Sequence, residues 1–112
     1  SDLWCSAFVR RHNDTGTMCV VARKGDPVAG QVWIEFDHID GTSSLLSPAP
    51  SLSTSEGSND ADWVFQTRFD RVSALEVSHR LTKEVDFDPD FWHLVVESRK
   101  IDSSLTIVPS AS

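Results

Sequence analysis

The chain has 112 residues, the length of one domain, and its 39% hydrophobic content, with four Trp and six Phe, excludes wholesale disorder. A net charge of −7 excludes a long nucleic-acid groove, which needs a basic surface. No apolar run approaches the roughly 18 residues of a membrane span, and no charged-then-apolar leader opens the sequence, so a cytoplasmic protein without nucleic-acid or membrane partners is expected. In chain order, residues 3–11 alternate. Leu3, Cys5, Ala7 and Val9 share one face and Trp4, Ser6, Phe8 and Arg10 the other, which predicts a strand. His12 to Gly16 is turn chemistry. Residues 17–24 suit a strand or a short helix. The helix is favoured, because Asp14 or Thr15 would cap it, Arg23 and Lys24 would face its negative end, and Gly25 would stop it.

Residues 31–38 form the clearest strand, with Val32, Ile34 and Phe36 on one face and Trp33, Glu35 and Asp37 on the other. Asp40-Gly41 signals a hairpin that returns through Leu45-Leu46. Residues 47–62 are Ser- and Pro-rich and predict a mobile surface loop. Trp63, Phe65, Thr67 and Phe69 restore alternation. Ser73-x-x-Glu76 is a capping box, Val72 and Val77 fit a hydrophobic staple, and Ala74, Val77, Leu81 and Val85 make the apolar stripe of the helix that follows. Glu76, Arg80 and Glu84 would form an exposed ladder on that helix. After Asp88-Pro89, residues 91–98 read as a central apolar strand and 104–108 as a short last one, with Pro109 at its end.

Two groups of residues carry chemistry. Residues 1–30 hold four basic side chains against three acidic ones, whereas residues 31–112 hold six against fourteen. Arg10-Arg11-His12 with Arg23-Lys24 would therefore make a positive spot on an acidic body, suited to a phosphate or carboxylate. The competing account is pairing with nearby acids. His93 lies in an apolar strand, where Asp88 or Asp90 would make it a general base; a satisfied core histidine is the plainer account. Asp86, Asp88, Asp90 and Glu97 imitate a calcium loop, but Phe91 stands where that loop needs Gly. His12, His38 and His79 have no zinc spacing with Cys5 or Cys19, so neither metal nor cofactor is expected, and the two cysteines are expected to be free thiols.

Several segments occur together in a recognisable order. They are Trp4-x-Ser6-Ala7-x-x-Arg10-Arg11, Ala22-Arg23-Lys24-Gly25-Asp26-x-x-Ala29-Gly30, Asp40-Gly41-Thr42, Ser47-Pro48-Ala49-Pro50 and Phe87-Asp88-Pro89-Asp90-Phe91-Trp92 with Glu97. In this the chain resembles the domain-of-unknown-function family 1491, small alphaproteobacterial proteins, over nearly its whole length. The resemblance implies a stand-alone bacterial protein and transfers no catalytic residue. Arg10 and Arg11 are the residues of the pattern that folding explains least.

The expected fold is a single α+β domain, residues 1–112: a mainly antiparallel sheet of about five strands with two helices packed on one face. No nucleophile–base–oxyanion set is legible. The expected function is therefore a binding or adaptor module, monomeric or homodimeric, that recognises a protein or a small anion through Arg10, Arg11, Arg23 and Lys24. The alternative is a small hydrolase or isomerase using Asp88, Asp90 and His93. An exposed Trp33 would favour the module, and a pocket uniting Asp88, Asp90, His93 and Arg10 the enzyme.

Overall fold

The alternating N-terminal segment folds as a helix. In the computed structural model, which describes residues 2–28, 30–49, 64–102 and 104–108, helix α1 runs Asp2–Asp14. The expected strand is overturned because the same residues also carry a helical stripe. Cys5 and Phe8 are buried on it, Trp4 and Val9 pack beside them, and Leu3 is 81% exposed. Asp2 in the first turn and Arg11 and His12 in the last suit the helix dipole. The turn residues then close α1 instead of opening a second helix: Thr15 and Thr17 N–H donate to His12 O at 3.1 and 2.9 Å, and Gly16 takes φ +85°.

With the turn used this way, residues 17–24 contain a strand, β1 (Cys19–Arg23), rather than the favoured short helix. Asn13 holds its start, its side chain bonding Cys19 N and O at 3.1 and 3.2 Å. The remaining elements are β2 (Gln31–Asp37), β3 (Thr42–Pro48), β4 (Val64–Ser73), α2 (Ala74–Phe87), β5 (Phe91–Glu97) and β6 (Thr106–Val108). The sheet order is β1-β5-β2-β3-β4-β6. The sheet has six strands and is mixed: β5 lies parallel to β2 and β6 parallel to β4, while the other three pairings are antiparallel. The parallel pair exists because α2 carries the chain back across the sheet and inserts β5 between β1 and β2. Ser47 and Pro48 of the expected loop belong to β3; its remainder beyond Ala49, and Pro109, lie outside the described residues.

The helices cover opposite faces, not one. On one side α1 packs over β1 and β5, with Cys5, Phe8, Val32, Ile34, Phe36, Leu94 and Val96 in the core. On the other, α2 packs over β3 and β4, with Val77, Leu81, Trp33, Leu45 and Phe91. The physical reason is Trp33, which is buried and makes the second face of β2 apolar despite Glu35 and Asp37. The exposed ladder expected on α2 is instead a clasp. Arg80 bonds Glu84 at 3.0 Å, Glu84 is only 7% exposed, and the guanidinium lies 5.1 Å above the Trp33 ring. Among the described residues, no helix is long and apolar enough to cross a membrane.

Ser73 is the N-cap of α2, its Oγ accepting from Leu75 N at 3.2 Å. Ser73→Ala should lower stability by about 1 kcal/mol, read as a shifted midpoint in urea unfolding with unchanged slope. An unchanged midpoint would remove the cap from the account.

Candidate functional site

The parallel strands β2 and β5 end side by side, and a cleft of about 450 Å³ opens beyond them. Three segments wall it. The last turn of α1 brings Arg11 and His12, the following turn brings Thr15 and Thr17, and the chain after β5 brings Ser98, Lys100, Ile101, Asp102 and Ser104. Phe36 and Val96 of the core lie at its base.

Asp102 organises this cleft. Its Oδ2 accepts from Arg11 Nη2 at 2.8 Å and faces His12 Nε2 at 3.0 Å. Its Oδ1 accepts from the backbone N–H and hydroxyl of Ser104 at 2.8 and 2.7 Å. Both oxygens are thus filled by local partners. Burial alone would raise its pKa, but the Ser104 hydrogen bonds and the charges of Arg11 and His12 hold it below the usual carboxylate range. His12 is held from behind as well, Nδ1 donating to Phe8 O at 2.9 Å. Both ring nitrogens therefore face acceptors.

A lowered folded pKa means that Asp102 contributes stability above its unfolded value, about 3.9, which is lost as pH falls through the folded one. The contacts of Asp102 with Arg11, His12 and Ser104 should therefore persist on acidification until below about pH 3.9. Amide shifts of Ser104 and Lys100 would report their loss, and in Asp102→Asn this acid transition should be missing. A transition at the same pH in that variant would assign it to other carboxylates.

The end of the sheet behind the cleft is braced by backbone strain and a buried histidine. His38 Nδ1 donates to Ser98 O at 2.9 Å and its Nε2 meets Ser44 Oγ at 2.8 Å. Opposite Ser44, β4 carries a bulge at Asp70-Arg71, and Arg71 N–H donates to Ser44 Oγ at 3.0 Å. Arg71 takes φ +54°, and its side chain reaches Arg99 O at 2.9 Å. Ile39, in the β2–β3 turn, takes φ +69°. Among the described residues these are the two non-glycines with positive φ, and both lie at the cleft end of the sheet.

The residues expected to form one basic spot separate. Arg11 enters the cleft. Arg10 is exposed on α1 away from the cleft lining. Arg23 is at the far end of β1, where its Nε and Nη2 donate to Pro89 O at 3.1 and 2.7 Å and its guanidinium stacks 5.2 Å from the Phe91 ring. Lys24 follows it there. The expected acid-base group also comes apart. Asp88 caps the C-terminus of α2 and accepts from Asp90 N at 3.2 Å. His93 pairs with Glu35, Nε2 to Oε1 at 2.9 Å, and Ser43 Oγ donates to the other Glu35 oxygen at 2.9 Å. Burial would raise the Glu35 pKa, but the His93 and Ser43 hydrogen bonds and the His93 charge leave it lowered. Sequence reasoning missed Glu35 because its partner is 58 residues away. It missed Asp102 and Lys100 too, although Asp102-x-Ser104 is a readable Asx-turn signal.

Cys5 and Cys19 are buried, and burial pushes the Cys19 thiol up to about 11, which keeps it from acting as a nucleophile. Among the described residues no group of three or more His, Cys, Asp or Glu side chains is placed to hold a metal ion.

Comparison with known proteins places the chain. The family model described as protein of unknown function (DUF1491) matches residues 1–106. The solution structure of protein Atu0922 from A. tumefaciens is 30% identical, with a TM-score of 0.84 over 99% of this chain and 95% of that one. The crystal structure of a DUF1491 family protein from Caulobacter crescentus CB15 is 25% identical, with a TM-score of 0.77 over 96% and 97% of the two chains. The NMR structure of a DUF1491 family protein from that organism is 27% identical, with a TM-score of 0.73 over 99% and 96%. No curated protein matches. Family model and structures agree with the order of motifs read along the sequence, and the chain belongs to the DUF1491 family.

Proposed function

We propose that the chain is a small bacterial cytoplasmic binding module that takes a small anion in the cleft beside α1. The observation that carries this reading is the saturation of Asp102. It holds Arg11 by one nitrogen while its own lone pairs are filled by Ser104 and His12. The Arg11 side chain is 54% exposed, and it lines the same cleft as Lys100. Arg11 and Lys100 against Asp102 leave a net positive site on a chain of net charge −7. The opposition of the negative end of α1 to an anion there is lessened, because the His12 and Asn13 carbonyls accept from Thr15, Thr17 and Gly16.

The test is titration of acetate, and separately of inorganic phosphate, into the isotope-labelled chain. Amides of Thr15, Thr17, Ser98 and Lys100 should shift. Arg11→Ala should weaken binding about tenfold, the worth of a charge-assisted hydrogen bond, while Arg10→Ala should leave it unchanged. Equal effects of the two variants would reduce the site to diffuse surface charge.

A second reading rests on Glu35 and His93, a carboxylate-held imidazole on the opposite face of the sheet. Ser43 donates to Glu35 and not to His93, so the order of the three is not that of a nucleophile and its base. Equal turnover of an activated ester by the wild type and His93→Ala would remove this reading.

A further inference from the structure

We infer that the ligand of the cleft is a small organic anion: a carboxylate held by Arg11 and Lys100 with a short apolar body lying along Ile101. The inference rests on the anion-binding reading above and narrows it by two independent observations.

The first is charge. Within the cleft lining, the permanent cations are Arg11 and Lys100, and Asp102 is an anion held in its ionised form. The cleft is therefore net positive, which favours an anion over a neutral ligand of the same shape.

The second is shape. The cleft volume of about 450 Å³ falls in the roughly 300–1,000 Å³ range of pockets that hold organic ligands, and it far exceeds what an inorganic ion fills. Its lining is mixed. Thr15, Thr17, Arg11 and Lys100 supply hydroxyls and cations, and half-buried Ile101, packed against the core that holds Phe36 and Val96, supplies apolar surface. An inorganic anion would leave the apolar part wet, whereas an alkyl or aryl body would cover it.

The inference is tested on the wild-type chain with four probes: hexanoate, acetate, inorganic phosphate and 1-hexanol, followed by amide shifts. Hexanoate should bind at least about tenfold more tightly than acetate, because part of its chain leaves water on Ile101. It should also exceed phosphate and hexanol, with shifts concentrated at Thr15, Thr17, Lys100 and Ile101. If acetate or phosphate binds the same residues as tightly as hexanoate, the organic-anion inference fails while the anion site stands. If hexanol matches hexanoate, or if none of the four moves these amides, the anion reading itself fails. Ile101→Ser, checked for a native spectrum, should abolish the preference for hexanoate over acetate. The four probes need no variant, so their outcome does not depend on how that substitution folds.

Discussion

Alanine at Gly25 or at Gly30 is expected to destabilise the chain by about 1–3 kcal/mol, the range for overpacking a filled site. A Cβ at Gly25 would lie 2.7 Å from the Phe91 carbonyl carbon and 2.9 Å from its Cα, both backbone atoms of a central strand that cannot swing aside. A Cβ at Gly30 would lie 2.8 Å from Asp26 N and 3.0 Å from the Trp92 ring. These contacts belong to one interlock. Trp92 Nε1 donates to Asp26 O at 2.9 Å, Gly30 N donates to Asp26 O at 3.2 Å, and Arg23 clamps Pro89 O. Arg23, Gly25, Asp26 and Gly30 are thereby pressed onto the start of β5. Packing thus accounts for Arg23, Gly25, Asp26 and Gly30 of one motif that carried the family resemblance, Ala22 to Gly30, and for Pro89, Phe91 and Trp92 of another, Phe87 to Trp92. With a total stability of about 5–15 kcal/mol for a domain of this kind, either substitution should shift the urea midpoint clearly. Gly41→Ala provides the contrast. There φ is +90° and nothing lies within 4 Å, so its cost comes from conformation and not from collision. A Gly25→Ala midpoint equal to wild type would mean that the loop does not seat on β5.

Phe8→Ala is expected to cost about 3–5 kcal/mol, the usual range for truncating a buried aromatic, whereas Leu3→Ala should stay within about 0.5 kcal/mol. Phe8 is 3% exposed and stacks on Trp4 with centroids 5.0 Å apart. The His12 ring lies 4.2 Å from it and the Arg11 guanidinium 5.5 Å. Truncation would therefore loosen both cleft side chains together with the core. Denaturant unfolding of the two variants reads the difference. A strand at 3–11 would instead point Leu3 inward beside Cys5 and Ala7, and a large loss in Leu3→Ala with little in Phe8→Ala would restore that reading.

This segment shows how far the sequence is legible. Residues 3–9 satisfy period two and, through Cys5, Phe8 and Val9, the helical spacing as well; which one wins depends on the sheet to be covered, and that is assembled from residues 19 to 108. The strands at β2, β3 and β5 and the cap at Ser73 are readable because alternation and capping are local. Six strands in place of five, the parallel β2–β5 pair and the placement of helices on both faces are not, because they follow from where α2 returns the chain. The same division holds for the cleft. Arg11 stands out as a charge that folding does not require, but its partner Asp102 is 91 residues away. Arg10, its neighbour, points elsewhere because a helix turns about 100° per residue. Grouping Arg23 and Lys24 with Arg11 supposes adjacent elements; β1 instead carries them to the opposite end of the sheet.

The central claim is that Asp102 builds the anion site by holding Arg11, and a single substitution separates this from simple charge. Asp102→Asn removes a negative charge from the cleft. Electrostatics alone would then strengthen anion binding, whereas loss of the clamp on Arg11 and His12 would weaken it. The measurement is the affinity of hexanoate for the wild-type and Asp102→Asn chains at neutral pH, each confirmed folded by its amide spectrum. The account predicts binding about tenfold weaker in the variant, the loss expected when a charge-assisted contact is no longer positioned. Equal or tighter binding would contradict it and leave Arg11–Asp102 an ordinary surface ion pair.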